Sequence, residues 1–314
     1  MTNTPVQFDR GLARIYDKTR PIDPEACRAC FRDALQGIVG RTNARIVDVG
    51  CGTGRILGCL IPDLLRKEQV VGIDVSSAML EVARGKRALH GVALHKISVA
   101  DFANAVENRE RFDAVICHWL FHCLPDWRDI FRACANLVKA GGVLTWLEED
   151  GELYRALDGM NTNNGRVNRL FATYYESVNN QCGEPGLSQF DPAARAGAPL
   201  RCTDELAREL SSCGWIIQKE FSTHRWTRMM TVNWIVRTVL GLRVFTNLRQ
   251  IPAAVNSAAI ADLRYKLGQA GLPKGSDQLE IRYWANAVVA VKETTVSTGL
   301  GCMKLGKRPT ANYR

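Results

Sequence analysis

Val47-Asp48-Val49-Gly50-Cys51-Gly52-Thr53-Gly54-Arg55 is the stretch on which the reading of this chain turns. A β-branched run, Ala44 to Val49, ends in glycines at alternate positions, and a helical pattern opens at Arg55. Glycines placed this way let the backbone turn tightly from strand to helix and let a ligand approach the main chain without Cβ interference. A dinucleotide loop, G-x-G-x-x-G, would put its third glycine at position 55, where Arg55 stands; the third glycine here is Gly54. No Gly-Lys-Ser/Thr follows, so a Walker-type phosphate loop is excluded. A glycine triplet alone also suits a purely structural turn, and the acids downstream separate the two readings. Asp74 closes the apolar run Val70 to Val75, 20 residues beyond Gly54, where a carboxylate can accept from both hydroxyls of a ribose or cap a helix. Asp101, in Ala100-Asp101-Phe102, fits a contact to an adenine amino group with Phe102 flanking the ring.

Outward from the loop the chain alternates. Strand-like runs at 70–75, 92–99, 112–117 and 143–147 are separated by helical patterns at 55–67, 76–89 and 125–138, with Ser76 placed as an N-cap. Strands separated by helices imply right-handed crossovers and a parallel sheet covered on both faces, so the expected class is α/β. Residues 153–178 have helical spacing, 179–199 are rich in Gly, Pro, Asn and Ala, and the α/β rhythm resumes at Thr203. A strand is expected at 215–221, helices at 226–240 and 253–270, and a last strand at 279–291.

Of the 314 residues 46% are hydrophobic and 23% charged, as in ordinary globular proteins, which excludes wholesale disorder. No run reaches the ~18–20 apolar residues of a membrane span, and Met1 to Arg10 lacks the pattern of a secretory leader. The 11 cysteines are odd in number and scattered, several inside apolar runs, so a reducing cytoplasmic setting is expected. The net charge of +9 is uneven: residues 1–150 hold 20 Lys/Arg against 19 Asp/Glu, and residues 151–314 hold 21 against 13. A neutral module joined to a basic one accounts for that asymmetry.

Asp48 to Gly54, Asp74 to Met79, Ala100-Asp101-Phe102 and the run from Phe112 to Gly142 resemble class I S-adenosylmethionine-dependent methyltransferases of the small-molecule type. Arg14 to Pro21, containing Tyr16-Asp17-Lys18-Thr19-Arg20, is similar to the N-terminal lid of many such proteins; Ala140 departs from the pattern, standing where proline is usual. The resemblance covers residues 12–150 well and 203–291 loosely. It implies a Rossmann-like seven-stranded sheet with helices on both faces, its last strand antiparallel, and S-adenosyl-L-methionine as cofactor. Carried over by position, Gly50, Cys51, Gly52 and Gly54 would line the methionine moiety and Asp74, with Val75 beside it, the ribose. Met79 and Phe102 would pack on adenine, with Asp101 on its amino group. Tyr16 and Arg20 would close over the cofactor, Arg20 pairing with its carboxylate, while Asp48 would accept from its amino group and Cys117 would lie near the sulfonium.

Methyl transfer from a sulfonium needs a nucleophile held about 3 Å from the methyl carbon, with water excluded, and a base only where the acceptor must lose a proton. Candidate bases follow the strand ends: His118 and His122 after the fourth, Glu148 and Glu149 after the fifth. His118 and His122 are four apart, but no third ligand is evident, so no metal site is expected. Cys27-Arg28-Ala29-Cys30 is a single CxxC within an expected helix, 24–39, and reads as two helix-face thiols.

The domain reading is 1–40 as helical lid, 41–150 as cofactor-binding core, 151–202 as helical insertion or cap, 203–293 as the rest of the core with substrate-facing helices, and 294–314 as a flexible tail. Lys219 to Arg249 has six Lys/Arg and one Glu among Trp226, Met229, Met230, Trp234 and Phe245, which suits an aromatic or anionic small acceptor. The expected function is methyl transfer to an oxygen or nitrogen of a small molecule, such as a specialised metabolite. Its rivals are an RNA or protein methyltransferase, and a non-catalytic relative that binds the nucleoside. No Asn/Asp-Pro-Pro-aromatic motif follows the fourth strand, which disfavours methylation of base amines.

Overall fold

A computed structural model describes residues 8–20, 22–61, 63–121, 127–182, 208–209, 211, 215–243, 245–269 and 271–292, with the side chains of 106, 147–150, 217–223, 246–247 and 285–288 left out of the description. In chain order the principal elements are α1 (Arg10–Thr19), α2 (Pro24–Ala34), β1 (Ile46–Val49), α3 (Arg55–Leu60), β2 (Val70–Asp74), α4 (Ser77–Arg84), β3 (Ala93–Lys96), α5 (Val99–Asn104), β4 (Phe112–His118), α6 (Trp127–Leu137), β5 (Val138–Gly151), α7 (Glu152–Leu157), α8 (Gly165–Gln181), β6 (Trp215–Thr231), α9 (Ala253–Lys266) and β7 (Gln278–Lys292). The strands form one sheet in the order β3-β2-β1-β4-β5-β7-β6. β1 pairs in parallel with β2 and β4, β4 with β5, and β7 runs antiparallel to both its neighbours. The expected seven-stranded α/β sheet with an antiparallel last strand is therefore present. Because the order reverses between β1 and β4, the carboxyl ends of β1, β2 and β4 open a crevice of the kind in which such sheets bind ligands.

Alternation along the strands divides the interior. Ile46, Ile116 and Val143 face α2 and α3, where Cys27, Cys30, Phe31, Leu57 and Leu60 are fully buried. Val47, Val49, Val115, Leu144 and Trp146 face the other way, onto α5 and α6. Of the segment expected as a lid, only α1 lies over the glycine loop. α2 belongs to the core, and its two cysteines are helix-face thiols packed against the sheet, as expected.

A third core was not legible beforehand. α7, α8, α9, the helical stretch 232–240 and the far ends of β6 and β7 bury Tyr154, Phe171, Tyr174, Val236, Val239, Leu263, Ile281 and Tyr283 together. Tyr174 donates to Asn256 Oδ1 (2.5 Å) and Asn256 Nδ2 donates to the Leu240 carbonyl (3.2 Å), tying α8 to α9 and to the stretch before it. The 151–182 segment and the 232–267 segment thus make one cap.

Two expectations are corrected. Residues 226–231 are not helical: β6 continues through them in unbroken register with β7, Trp226 opposite Tyr283, and helix begins only at Val232. The spacing of Trp226, Met229, Met230 and Trp234 imitates a helical stripe, but pairing with the neighbouring strand decides the outcome. Ala140-Gly141-Gly142, which follows the helical pattern 125–138 and reads as a helix stop and turn, is absorbed within β5 as an irregularity, the partners shifting from Phe112↔Val138 to Ala114↔Val143. The expected loop and cap at 183–202 and the expected tail at 294–314 lie outside the described residues. No helix among the described residues is long and apolar enough to cross a membrane.

Candidate active site

The glycine loop folds back onto β2. The N–H groups of Gly50 and Cys51 both donate to the Ile73 carbonyl (2.9 and 3.0 Å), and Gly54 N donates to the Cys51 carbonyl (2.8 Å). Gly50, Gly52 and Gly54 have φ of +71°, +56° and +66°, a region L side chains rarely adopt, which explains why all three are glycine. Space imposes the same restriction: a Cβ on Gly54 would lie 2.2 Å from Leu89 Cδ1, and one on Gly52 would lie 3.2 Å from Met79 Cε.

Asp74 is held at both oxygens. Gly52 N donates to Oδ2 (2.8 Å) and Ser76 N to Oδ1 (2.7 Å). Burial raises its pKa, and the backbone N–H groups of Ser76, Gly52 and Val75 oppose that rise. A carboxylate oxygen has two lone pairs, so each retains room for a further donor such as a ribose hydroxyl. Val75, next along, leaves an apolar side chain 66% exposed at the same edge. Asp48 is 2% exposed, and among the described residues no hydrogen bond or ion pair reaches its carboxyl. Burial, with the neighbouring charge of Asp74, pushes its pKa up to about 8. A buried acid beside a glycine cradle and a ribose-type carboxylate fits the cationic amino group of S-adenosylmethionine, so the residues present suit that cofactor.

Asp101 lies in the first turn of α5, exposed, accepting from the Ser98 hydroxyl (2.6 Å). Met79 is buried against the loop. Phe102 and Cys117 are both buried. The Phe102 ring is turned into the core, 5.9 Å from the Phe112 ring, and Cys117 Sγ lies 3.6 Å from Cys134 Sγ under the sheet. Both side chains follow the strand-to-helix packing on the α5–α6 face, and burial holds the Cys117 thiol well above its usual pKa.

At the end of β4, His118 is nearly buried and its ring runs parallel to that of Trp119, centroids 6.1 Å apart. Trp119 has φ of +50°, a strained conformation for a bulky residue, and such residues concentrate at functional sites. Its ring meets Tyr154 edge-on at 5.2 Å, and Tyr154 in turn contacts Phe245 and Tyr283, each at 5.6 Å. An aromatic wall therefore runs from the end of β4 into the cap. His122 lies outside the described residues, as do the side chains of Glu148 and Glu149.

The lid closes the other side. Arg20, 6% exposed, has its guanidinium carbon 4.2 Å from the Tyr16 ring centroid and 4.8 Å from that of Phe245. Arg55 Nη1 donates to the Arg20 carbonyl (2.7 Å). Sequence reasoning missed Asp17, which accepts from the Thr53 hydroxyl and from Lys86 Nζ, each at 2.5 Å, and so ties α1 to the glycine loop. It also missed the second role of Ser76, whose hydroxyl donates to the Phe8 carbonyl (2.9 Å) while accepting from Met79 N. The adjacency of Asp17 to Tyr16 in the lid motif was the one available signal. Among the described side chains of 219–249, Arg243 and Arg249 bond inward to the carbonyls of Ile251 and Arg243, whereas Arg225 and Arg228 lie exposed on β6.

Residues 46–142 match the family described as "Methyltransferase domain". Over 147 residues the chain is 41% identical to the ubiquinone biosynthesis O-methyltransferase of Alkalilimnicola ehrlichii, covering 43% of this chain and 55% of that protein. The enzyme of the same name from Chromobacterium violaceum is 36% identical over 140 residues, covering 43% of this chain and 58% of its own length. The chain thus spans little more than half the length of these curated relatives. Among solved structures, an S-adenosylmethionine-dependent methyltransferase of Archaeoglobus fulgidus is 15% identical, with TM-score 0.42 over 89% of this chain and 98% of its own.

Proposed function

Proceeding from the methyltransferase domain matched over residues 46–142, we propose that this protein is an S-adenosylmethionine-dependent O-methyltransferase acting on a small molecule. The observation that carries the reading is the glycine cradle at the carboxyl edge of β1, with Asp74 bonded to Gly52 N and Asp48 buried beneath it. When bound, the cofactor supplies an electrophilic methyl group on a sulfonium whose departure leaves a neutral thioether. The chain's residues bind and orient. Asp74 accepts from the ribose, Asp48 takes the amino group, and Asp101 serves the adenine edge. Tyr16 and Arg20 cover the methionine end, with Arg20 opposite its carboxylate.

The acceptor reading rests on the aromatic wall. Trp119 and Phe245 are half-buried, whereas Tyr154 and Tyr283 pack behind them, so a flat ring is the shape that fits against the two partly open faces. A hydroxyl on such a ring, brought to the end of β4, lies within the neighbourhood of His118, whose imidazole suits removal of the proton. Oxygen as the receiving atom is supported by the names of the relatives, which are O-methyltransferases.

Calorimetry with S-adenosylmethionine and with NAD decides the cofactor: micromolar binding of the first and none of the second is expected, and the reverse overturns the proposal. Incubation with methyl-labelled cofactor and a panel of phenols, catechols and aromatic amines then reads the acceptor. Label on amines alone would refute oxygen as the receiving atom. His118→Asn should leave cofactor affinity unchanged while lowering turnover by 10²–10⁴-fold, the usual contribution of a positioned base.

A further inference from the structure

Phe245 belongs to the cap, beyond the helical stretch 232–240, and is separated by more than two hundred residues from the lid. Its ring nevertheless lies 4.8 Å from the guanidinium carbon of Arg20, which is also 4.2 Å from the Tyr16 ring. On its other side Phe245 packs against Tyr154, and Tyr154 against Trp119. One ring of the cap thus touches both the residue expected over the cofactor and the wall expected beside the acceptor.

We propose that Phe245 is a positioning residue for cofactor binding, holding the Arg20 guanidinium in place through its ring. The proposal rests on the cofactor reading above. Arginine's planar, weakly hydrated cation associates with aromatic faces more readily than an ammonium does, and the contact strengthens when water is removed. Arg20 is 6% exposed, so the association is a desolvated one. Its backbone is held by Arg55 Nη1 at its carbonyl and its own Nη1 donates to the Thr19 hydroxyl (3.2 Å), and the two rings add apolar contacts at the guanidinium carbon. An aromatic ring contacts the cation without consuming its N–H groups, so those not already bonded keep their capacity to donate to a carboxylate. A cation fixed before the ligand arrives does not have to be ordered at the moment of binding, which is how preorganisation raises affinity.

The test is calorimetric titration of the full chain with S-adenosylmethionine. Phe245→Leu and Phe245→Met keep apolar volume and lose the π face; Phe245→Tyr keeps both. Leu or Met should raise Kd five- to tenfold, and Tyr should stay within twofold of the parent. In an Arg20→Ala background the Leu substitution should add nothing, because the group it positions is gone. Far-UV circular dichroism and the thermal midpoint select whichever of the Leu and Met variants folds as the parent does. Unchanged affinity in that variant, failure of Tyr to restore binding, or an equal loss in the Arg20→Ala background each overturns the proposal. A parent protein that does not bind S-adenosylmethionine overturns the cofactor reading and this proposal with it; binding that is indifferent to the ring overturns this proposal alone.

Discussion

Cofactor binding should release a proton, and the proton should come from Asp48. The carboxyl is buried and its pKa stands at about 8, raised by burial and by Asp74. At pH 7 it is therefore about nine-tenths protonated in the free protein. An ammonium brought within ~4–6 Å favours the ionised form by about 1–3 units. A fall of about two units would leave the carboxyl about one-tenth protonated, a release of about 0.8 proton per cofactor at pH 7. The release should fade toward pH 9.5, where the free carboxyl is already ionised, and toward pH 5, where the bound form is again protonated. Calorimetry in phosphate and in Tris, whose ionisation enthalpies differ, reads the number directly. Asp48→Asn should abolish the buffer dependence. Enthalpies equal in the two buffers at pH 7, or a buffer dependence that survives in Asp48→Asn, would refute the argument.

The same carboxyl carries a stability signature. Between its ordinary value of 3.8 and about 8 the folded state holds a proton that the unfolded state has lost, so Asp48 makes the free protein less stable as pH rises through that window. At 1.36 kcal/mol per unit the ceiling is about 6 kcal/mol. Asp48→Asn should accordingly stabilise the free protein at pH 8, and its advantage should vanish below pH 4.

Asp74→Ala should weaken S-adenosylmethionine binding by about 10–100-fold, since hydrogen bonds to a charged group are worth about 1.5–3 kcal/mol; unchanged affinity would mean that the ribose lies elsewhere. Asp17→Ala removes the tie from α1 to Thr53 and Lys86. Stopped-flow dissociation of S-adenosylhomocysteine should quicken several-fold, with a stability loss of no more than about 1 kcal/mol because the ion pair is partly exposed. Gly54→Ala meets Leu89 Cδ1 at 2.2 Å at a φ of +66° and should cost about 2–4 kcal/mol in urea denaturation. Gly58→Ala, within α3 with nothing inside 4 Å, should instead add about 0.5–1 kcal/mol. Equal effects from the two alanines would contradict the steric account.

How much of this was legible depends on how far apart the interacting residues lie along the chain. Gly50, Gly52 and Gly54 follow β1 directly and their φ values are imposed locally, so their role could be read from spacing. Asp74 could be read because it ends the adjacent parallel strand, and Ser76 because a cap bonds three residues on. The expected places of Phe102 and Cys117 beside a ligand rest on position alone. Which way a side chain leaves a strand or a first helical turn depends on what packs there, and α6 supplies Cys134 and the core in which both are enclosed. The 226–231 segment reads as helix from sequence because its apolar residues satisfy a helical period as well as an extended one. Pairing with β7 breaks that tie.

By itself, the sequence determined the α/β class, the cradle and the acids around it, because each depends on residues within a turn of one another or at the ends of neighbouring strands. Only the tertiary structure decided that two stretches of surplus chain share one cap core, that Asp17 fastens the lid to Thr53, and that Phe245 reaches Arg20. Those contacts span from 36 to 225 positions of chain. They are selected by the closing of the sheet and the burial of apolar surface, a property of the whole assembly that no local pattern encodes.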